Sequence, residues 1–456
     1  MHRPHVRTRL LLFGALILPW TWPSARVVGA ETPHPDGREL FTREWAANDP
    51  RSRAGDGLGP VFNGRSCLGC HHQGGAGGAA GIDRNIDIVT AAPLPDRAPA
   101  TGGGPFYSFH MSFGGEGFQY KVSNGAPAKP PKTDPLATID PAELALIHPG
   151  FRGARSLVLH RFATDPDYPL WRERIPGKRD GFAVKISQRN PSPLFGMGAI
   201  EAISDETLQN AARRRFAGAP QIKGRVSHLP DGRVGRFGWK AQTATLAEFI
   251  LSAAAVEIGL EVPGHHQAGD PRRPDGARQG LDMDQADCDA LIDYVRELPP
   301  PLAREPSGPR ESVLVKEGKS VFKSIGCANC HTPKLGDVEG IYSDLLLHDM
   351  SPRLGDTGFY SAFVPRQAGD AAAAKGPGGV GAATVQEWRT PPLWGLRDSA
   401  PYLHDGRAES VEQAIALHGG QGSDSARQFA KLTPRERRHL AAFLDTLAAP
   451  PAADGP

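Results

Sequence analysis

The chain carries Cys-x-x-Cys-His twice, as RSCLGCHHQGG at residues 65–75 and as IGCANCHTPKL at 325–335. No other feature constrains the fold as strongly. Two cysteines at i and i+3 followed directly by histidine form the spacing at which two thiols add to the vinyl groups of a haem and the histidine takes the iron from below. On this reading Cys67, Cys70 and His71 hold one haem c, and Cys327, Cys330 and His331 hold a second. A structural zinc would ask for Cys₄ or Cys₂His₂ spacing, and a redox pair for a thioredoxin-like βαβ context. The fifth cysteine, Cys288, lies inside an amphipathic helical stretch and reads as a small buried thiol.

Haem attachment of this kind needs an exported protein. Residues His2–Arg9 are basic, Leu10–Trp20 are apolar, and Val28-Gly29-Ala30 resembles a small-residue cleavage site, so residues 1–30 are expected to be a signal peptide. The apolar run is short for a membrane span. The alternative is an uncleaved anchor, and either way the mature chain is expected to be periplasmic or secreted. Cleavage removes four arginines and no acids, which turns a formal charge of +2 into −2. Nothing in that balance suggests a nucleic-acid partner, and no later apolar run would cross a bilayer. With 54 glycines and 43 prolines, much of the chain is expected to be loop.

Haems of this type need helical walls. Short helices are expected before each motif, in DGRELFTREW and in KEGKSVFKSIG, and each half ends in an amphipathic helix, DMDQADCDALIDYVRELP and LTPRERRHLAAFLDTL. In the last, Thr433, Pro434 and Glu436 stand at N-cap, N1 and N3. RELPPPLAREPSGPRES at 296–312 reads as a linker. The expected fold is therefore mainly α, with two cytochrome c-like domains at 31–300 and 313–456, long irregular loops and the haems near the domain interface. Residues between the first motif and position 180 read as an irregular insertion around the first haem, and 369–384 as a flexible loop.

A second pattern recurs downstream of each motif. The first half has RNPSPLFGMGAIEAI and then RFGWKAQTATLAEFILSAAAVEIGL; the second has RTPPLWGLRDSAPYLHDGRAESVEQAIALHGG. WKAQTATLAEFI pairs with HDGRAESVEQAI. With the two haem motifs, GRFGWKAQ, YSDLLLHDM, EWRTPPLWGLRDSAPYLHDGRA and ALHGG, the chain resembles the bacterial di-haem cytochrome c peroxidase and MauG superfamily. The resemblance is closer to its "di-haem oxidoreductase, putative peroxidase" family, and it covers residues 37–448 apart from the insertion.

The resemblance implies roles for further residues. It places the distal ligand of the second haem fourteen residues beyond His404, at His418, with Met350 and His348 as competitors. It offers no matching histidine for the first haem: the stretch RDGFAVKISQRNP has none, and His72, His110, His160, His265 and His266 lie elsewhere. The first haem is thus expected to be open and reactive, with Glu257 as distal acid/base and Glu248 and Glu261 as weaker alternatives. Trp239 matches the tryptophan between the haems, an electron relay, whereas Trp388 and Trp394 read as packing residues. Asn190, Ser399 and Pro401 match the ligands of a calcium ion between the domains, and such oxygen donors suit Ca²⁺. The implied activity is reduction of H₂O₂ with electrons from a periplasmic donor or an oxidisable substrate. Three alternatives stay open: a di-haem electron-transfer cytochrome, an oxygenase using O₂ on an organic substrate, and a MauG-like enzyme that modifies a protein. A thiol oxidoreductase has no support from these residues.

Overall fold

Each haem motif follows a helix that crosses a second helix over a glycine. Helix Gly37–Thr42 packs on helix Gln285–Glu297, and helix Pro309–Ser324 packs on helix Pro434–Asp445. A Cβ on Gly37 would lie 2.0 Å from the Ala290 carbonyl oxygen and 2.6 Å from the Tyr294 Cβ. A Cβ on Gly318 would lie 2.1 Å from the His439 carbonyl oxygen and 2.6 Å from the Phe443 Cβ. One turn on from each glycine, on the same helix face, Phe41 meets Tyr294 with ring centroids 5.2 Å apart and Phe322 meets Phe443 at 5.3 Å. The two halves thus repeat one crossing, residue for residue. The second helix of each pair begins in a capping box, Asp284 with Asp287 and Thr433 with Glu436, the latter with Pro434 in the first turn as the sequence predicts. Cys288 is fully buried in the first of these helices.

These features come from a computed structural model that describes residues 35–94, 140–152, 154, 156–179, 181–273, 280–358, 360 and 383–451. They belong to one compact unit that begins at Pro35. The expected signal peptide, His110 and nearly all of the 369–384 loop lie outside the described residues. Among the described residues no helix is long and apolar enough to cross a membrane.

The downstream pattern is also a structural repeat. Phe237 bridges to Thr243 and Tyr402 to Ala408, each closing a loop over six residues. Both loops hold left-handed residues at their second and fifth positions: Gly238 and Ala241 in one, Leu403 and Gly406 in the other. Two residues past each loop a hydroxyl caps a helix, Thr245 before Leu246–Ala253 and Ser410 before Val411–Leu417. The preceding turns pack against each other about a local pseudo-dyad. A Cβ on Gly196 would meet the Trp394 ring at 2.5 Å, and one on Gly395 would meet the Phe195 ring at 3.6 Å. Both glycines have positive φ, at 70° and 67°, which glycine adopts without steric cost.

The mainly α expectation is overturned. Helix accounts for only 34 % of the described residues and strand for 15 %. The largest departure falls in the region read as irregular, where an antiparallel four-stranded sheet forms from Ile86–Pro93, Ser156–Val158, Gly177–Arg179 and Phe182–Arg189. IDIVTAAP is rich in β-branched residues and FAVKISQR carries Phe182, Val184 and Ile186 at alternate positions, types that favour pleated, half-buried strands. Val89, Ala91, Phe182 and Val184 turn inward onto Leu144, Ile147, Phe151 and Ile175, so the sheet has a core of its own.

Candidate functional site

The second motif opens onto a cavity lined by Cys327, Cys330, His331, Met350, Trp394 and His418. The imidazoles of His331 and His418 face each other there, with ring centroids 6.5 Å apart. Each ring is fixed by its Nδ1, which sits 2.9 Å from the Tyr342 carbonyl in His331 and 2.8 Å from the Ala414 carbonyl in His418. A carbonyl on Nδ1 sets the tautomer and leaves Nε2 as the ligating atom. The separation suits one metal ion bonded at about 2 Å to a nitrogen of each ring. Burial pushes the His331 imidazole down to about 4 and lowers His418 as well, which keeps both in the neutral form a metal requires. His418 stands just past the last turn of helix Val411–Leu417, where its backbone leaves the helix.

The two competitors line the same cavity. His348 has both ring nitrogens engaged, Nε2 with Asp344 at 2.9 Å and Nδ1 with Gln421 at 2.8 Å. His348, Asp344 and Cys330 also form a tight trio, but a thioether at Cys330 would remove its thiolate as a ligand. Met350 lies next to Gly422, whose Cβ would come within 3.4 Å of its Cε.

At the first motif, His71 Nδ1 lies 3.1 Å from the Gly78 carbonyl, and the Ser192 carbonyl is a further backbone partner of the ring. Burial pushes this imidazole to about 4. Among the described residues no facing ring pair includes His71. The repeat gives the reason: the loop register that puts His418 fourteen residues after His404 puts Ala253 fourteen residues after Trp239. A methyl group stands where the other half has an imidazole. His160 Nε2 is held 2.8 Å from the Val256 carbonyl, His265 lies against Ser252, His266 against Glu261, and His72 is exposed.

Glu257 lies instead one turn further on, in a π-helical turn, Ala254–Ile258, that ends at Gly259 with φ of 78°. Such turns spread the backbone and recur at functional sites. Here the turn frees its carbonyls. Val256 O takes His160, and Glu257 O accepts from the Asn63 and Gly64 amides at 2.7 and 3.2 Å. The Glu257 side chain accepts from Asn63 Nδ2 at 2.7 Å through Oε2. Its Oε1 is buried without a well-aligned donor among the described residues, and the half-buried Tyr360 is a neighbour of the carboxyl. Gly64 ties this group to the motif, since a Cβ there would lie 3.2 Å from Cys70 Sγ. Burial pushes the Glu257 carboxyl up to about 7, against the pull of the Asn63 hydrogen bond and of the neighbouring Tyr360 phenol. The weaker alternatives are committed elsewhere: Glu248 pairs with Arg233 at 2.7 Å, and Glu261 with His266 and the Gln267 amide.

Trp239 lines the second cavity, and its Nε1 donates to the Asn190 carbonyl at 2.9 Å. Two residues along, Ser192 lines the same cavity and contacts His71. Trp239 is therefore linked to the first imidazole through its bond to Asn190, a short run of main chain and the Ser192 contact. Trp388 is a packing residue, stacked on His404 at 3.7 Å with Lys240 Nζ 3.6 Å from its centroid. Trp394 packs in the core.

Asn190, Ser399 and Pro401 line one wall of the cavity. Asn190 Nδ2 donates to Ala80 O at 3.0 Å and to Asn85 Oδ1 at 2.9 Å. Gln73 Nε2 reaches the Ala400 carbonyl between Ser399 and Pro401 at 2.7 Å, while Gln73 Oε1 is buried without a partner. An orphaned carbonyl oxygen beside these groups fits a hard cation. Burial pushes the Cys67, Cys327 and Cys288 thiols up to about 12 and Cys70 to about 11, away from the thiolate that thiol exchange needs. Asn63 and Tyr360 were not singled out in the sequence. Asn63 stands four residues before Cys67, but no spacing ties Tyr360 to a motif 290 residues away.

Residues 178–447 match the family described as "Di-haem oxidoreductase, putative peroxidase". The methylamine utilization protein MauG of Methylorubrum extorquens is 31 % identical over 144 residues, which covers 30 % of this chain and 35 % of that protein, so the match spans about a third of the relative. Among solved structures, the hydrazine synthase of Kuenenia stuttgartiensis aligns over 57 % of this chain and 73 % of its own, at 21 % identity and TM-score 0.31. A MauG-like protein associated with microbial copper homeostasis aligns over 55 % and 90 %, at 18 % identity and TM-score 0.29. The family match covers more than half of the chain, including the second Cys-x-x-Cys-His, Glu257, Trp239 and His418: this protein belongs to the di-haem oxidoreductase, putative peroxidase family.

Proposed function

We propose that the mature protein works outside the cytoplasm, in the periplasm or beyond, and reduces hydrogen peroxide at the haem of Cys67, Cys70 and His71. Electrons reach that haem through the one held by Cys327, Cys330, His331 and His418. The observation that carries this reading is the difference between the sites. One offers a facing pair of imidazoles, and the other a motif with a single imidazole and, next to its Cys70, a cluster of carboxyl, amide and phenol. When bound, haem supplies an iron that carries single electrons when both axial positions are filled and takes small oxidants when one is free.

The chain's own residues do the proton work. Glu257, with its carboxyl near 7, divides between its two forms at neutral pH. Its carboxylate takes a proton from one oxygen of peroxide and returns it to the other, which leaves as water. Two electrons and two protons convert H₂O₂ to two waters. The electrons come from a small periplasmic donor or from an oxidisable substrate docked near the second site. Asn63 holds the carboxyl, and Trp239 relays charge along the short link to His71. The segments 31–300 and 313–456 act as two cytochrome c-like domains, and Ca²⁺ on Asn190, Ser399, Pro401 and Gln73 pins them together. The similarity to MauG favours a second reading, in which peroxide or O₂ drives oxidation of an organic or protein substrate.

EPR of the resting diferric protein tests the assignment. One high-spin and one low-spin haem, with the high-spin signal consumed by stoichiometric H₂O₂, is the expected result. Two low-spin haems that stay inert to peroxide even when half-reduced would make the protein an electron carrier.

A further inference from the structure

The segment that ends at Tyr360 comes from the C-terminal half but is fastened to the sheet of the N-terminal half. Asp356 takes both arms of Arg189, with Oδ2 and Oδ1 each 2.8 Å from a guanidinium nitrogen. Thr357 Oγ1 lies 2.8 Å from Thr90 Oγ1. Arg189 also donates to the Gly358 carbonyl, and a Cβ on Gly358 would press on Ser187 at 2.6 Å and Ile88 at 3.2 Å. Three consecutive residues are thus locked to the two central strands, and two residues further on the half-buried Tyr360 brings its phenol to the Glu257 carboxyl. Glu257 itself has one oxygen on Asn63 and the other buried without a well-aligned donor.

We propose that Tyr360 is a positioning residue of the first haem site, whose phenol donates to the Glu257 carboxylate and holds it in the orientation that receives a proton from a ligand on the haem. This rests on the open first haem proposed above. Asn63 and Tyr360 then grip the carboxyl from two separate parts of the chain, so the proton-handling group is complete only when residues 356–358 are docked on the sheet. A hydrogen bond that favours the carboxylate over the acid fixes the pH at which the group changes form.

Fluoride binding to the ferric protein, followed by absorbance across pH, gives a readout separate from turnover. Bound fluoride accepts a hydrogen bond from the protonated carboxyl, so affinity should rise as pH falls through the Glu257 midpoint near 7. In Tyr360→Phe the carboxylate loses a donor and the midpoint should move up by about one pH unit, with both haem spectra retained. In Glu257→Gln the affinity should be flat with pH, and adding Tyr360→Phe should change nothing more. A midpoint unmoved by Tyr360→Phe, or an equal effect in the Glu257→Gln background, would overturn the positioning role. A changed resting spin state in Tyr360→Phe would make the phenol an iron ligand and overturn it too. If the unsubstituted protein binds no fluoride at any pH, the open haem itself fails, and the role of Tyr360 with it.

Discussion

Asn63 and Glu257 are joined twice: Asn63 Nδ2 donates to Glu257 Oε2 at 2.7 Å, and the Asn63 amide donates to the Glu257 carbonyl at 2.7 Å. The approach to the first haem motif and the π-helical turn are thereby locked at both main chain and side chain. The main-chain bond holds the turn in place, and swinging the carboxyl away costs its bond to the Asn63 side-chain amide.

Substituting Glu257 by Gln keeps the shape and the Asn63 contact but removes the proton acceptor. The reaction with peroxide should slow by about 10² to 10⁴-fold, measured by stopped-flow absorbance, with both haems retained. The pH profile gives the sign. The acceptor is the carboxylate, which is lost as pH falls through about 7, so the rate should drop on the acid side of that value. Glu257→Gln should abolish that limb. A variant as fast as the parent would remove Glu257 from the chemistry.

Replacing His418 by Ala leaves His331 without a facing imidazole at the second site. Its haem should change from low-spin to high-spin in EPR while the first keeps its signal. His418→Met should remain low-spin at a raised potential, since a thioether in place of imidazole favours the reduced iron. An unaltered spectrum in His418→Ala would hand the position to another group, with Met350 in the same cavity the first to test.

How much of this was legible in the sequence differs by element. The motifs, the crossing helices and the Thr433 cap were readable because caps and helical periodicity are local signals. The paired loops were visible as a repeat, but their full correspondence was not. Gly238 and Ala241 share their left-handed positions with Leu403 and Gly406, and no residue type is common to either pair. The sheet was missed because IDIVTAAP and FAVKISQR stand about ninety residues apart, and a strand pairing over that distance leaves no local mark. Tyr360 was missed for the same reason, since its place is set by Arg189 and Thr90 on the sheet.

Trp239→Phe keeps an aromatic ring but removes the donor to the Asn190 carbonyl. Fluoride affinity and Glu257 chemistry at the first site should be unchanged, while electron transfer between the haems slows. Rapid-freeze EPR after mixing half-reduced protein with peroxide would resolve the step. Equal oxidation of the second haem in parent and variant would confine Trp239 to packing.

The glycine crossings give a prediction about stability. Gly318 lies inside a sixteen-residue helix, where alanine is ordinarily worth up to about 1 kcal/mol more than glycine. Here the added methyl would sit 2.1 Å from the His439 carbonyl oxygen, and backbone cannot step aside as a flexible side chain can. Overpacking of this kind costs about 1–3 kcal/mol, so Gly318→Ala should be less stable than the parent in spite of its propensity. Ser320→Ala, on the exposed face of the same helix, removes only a hydroxyl bonded back to the Lys316 carbonyl at 3.2 Å and should be neutral or slightly stabilising. Thermal unfolding of the two variants, followed by helical circular dichroism and by the haem band, separates the two effects. If Gly318→Ala melts with or above Ser320→Ala, the close approach at His439 is not what holds the crossing.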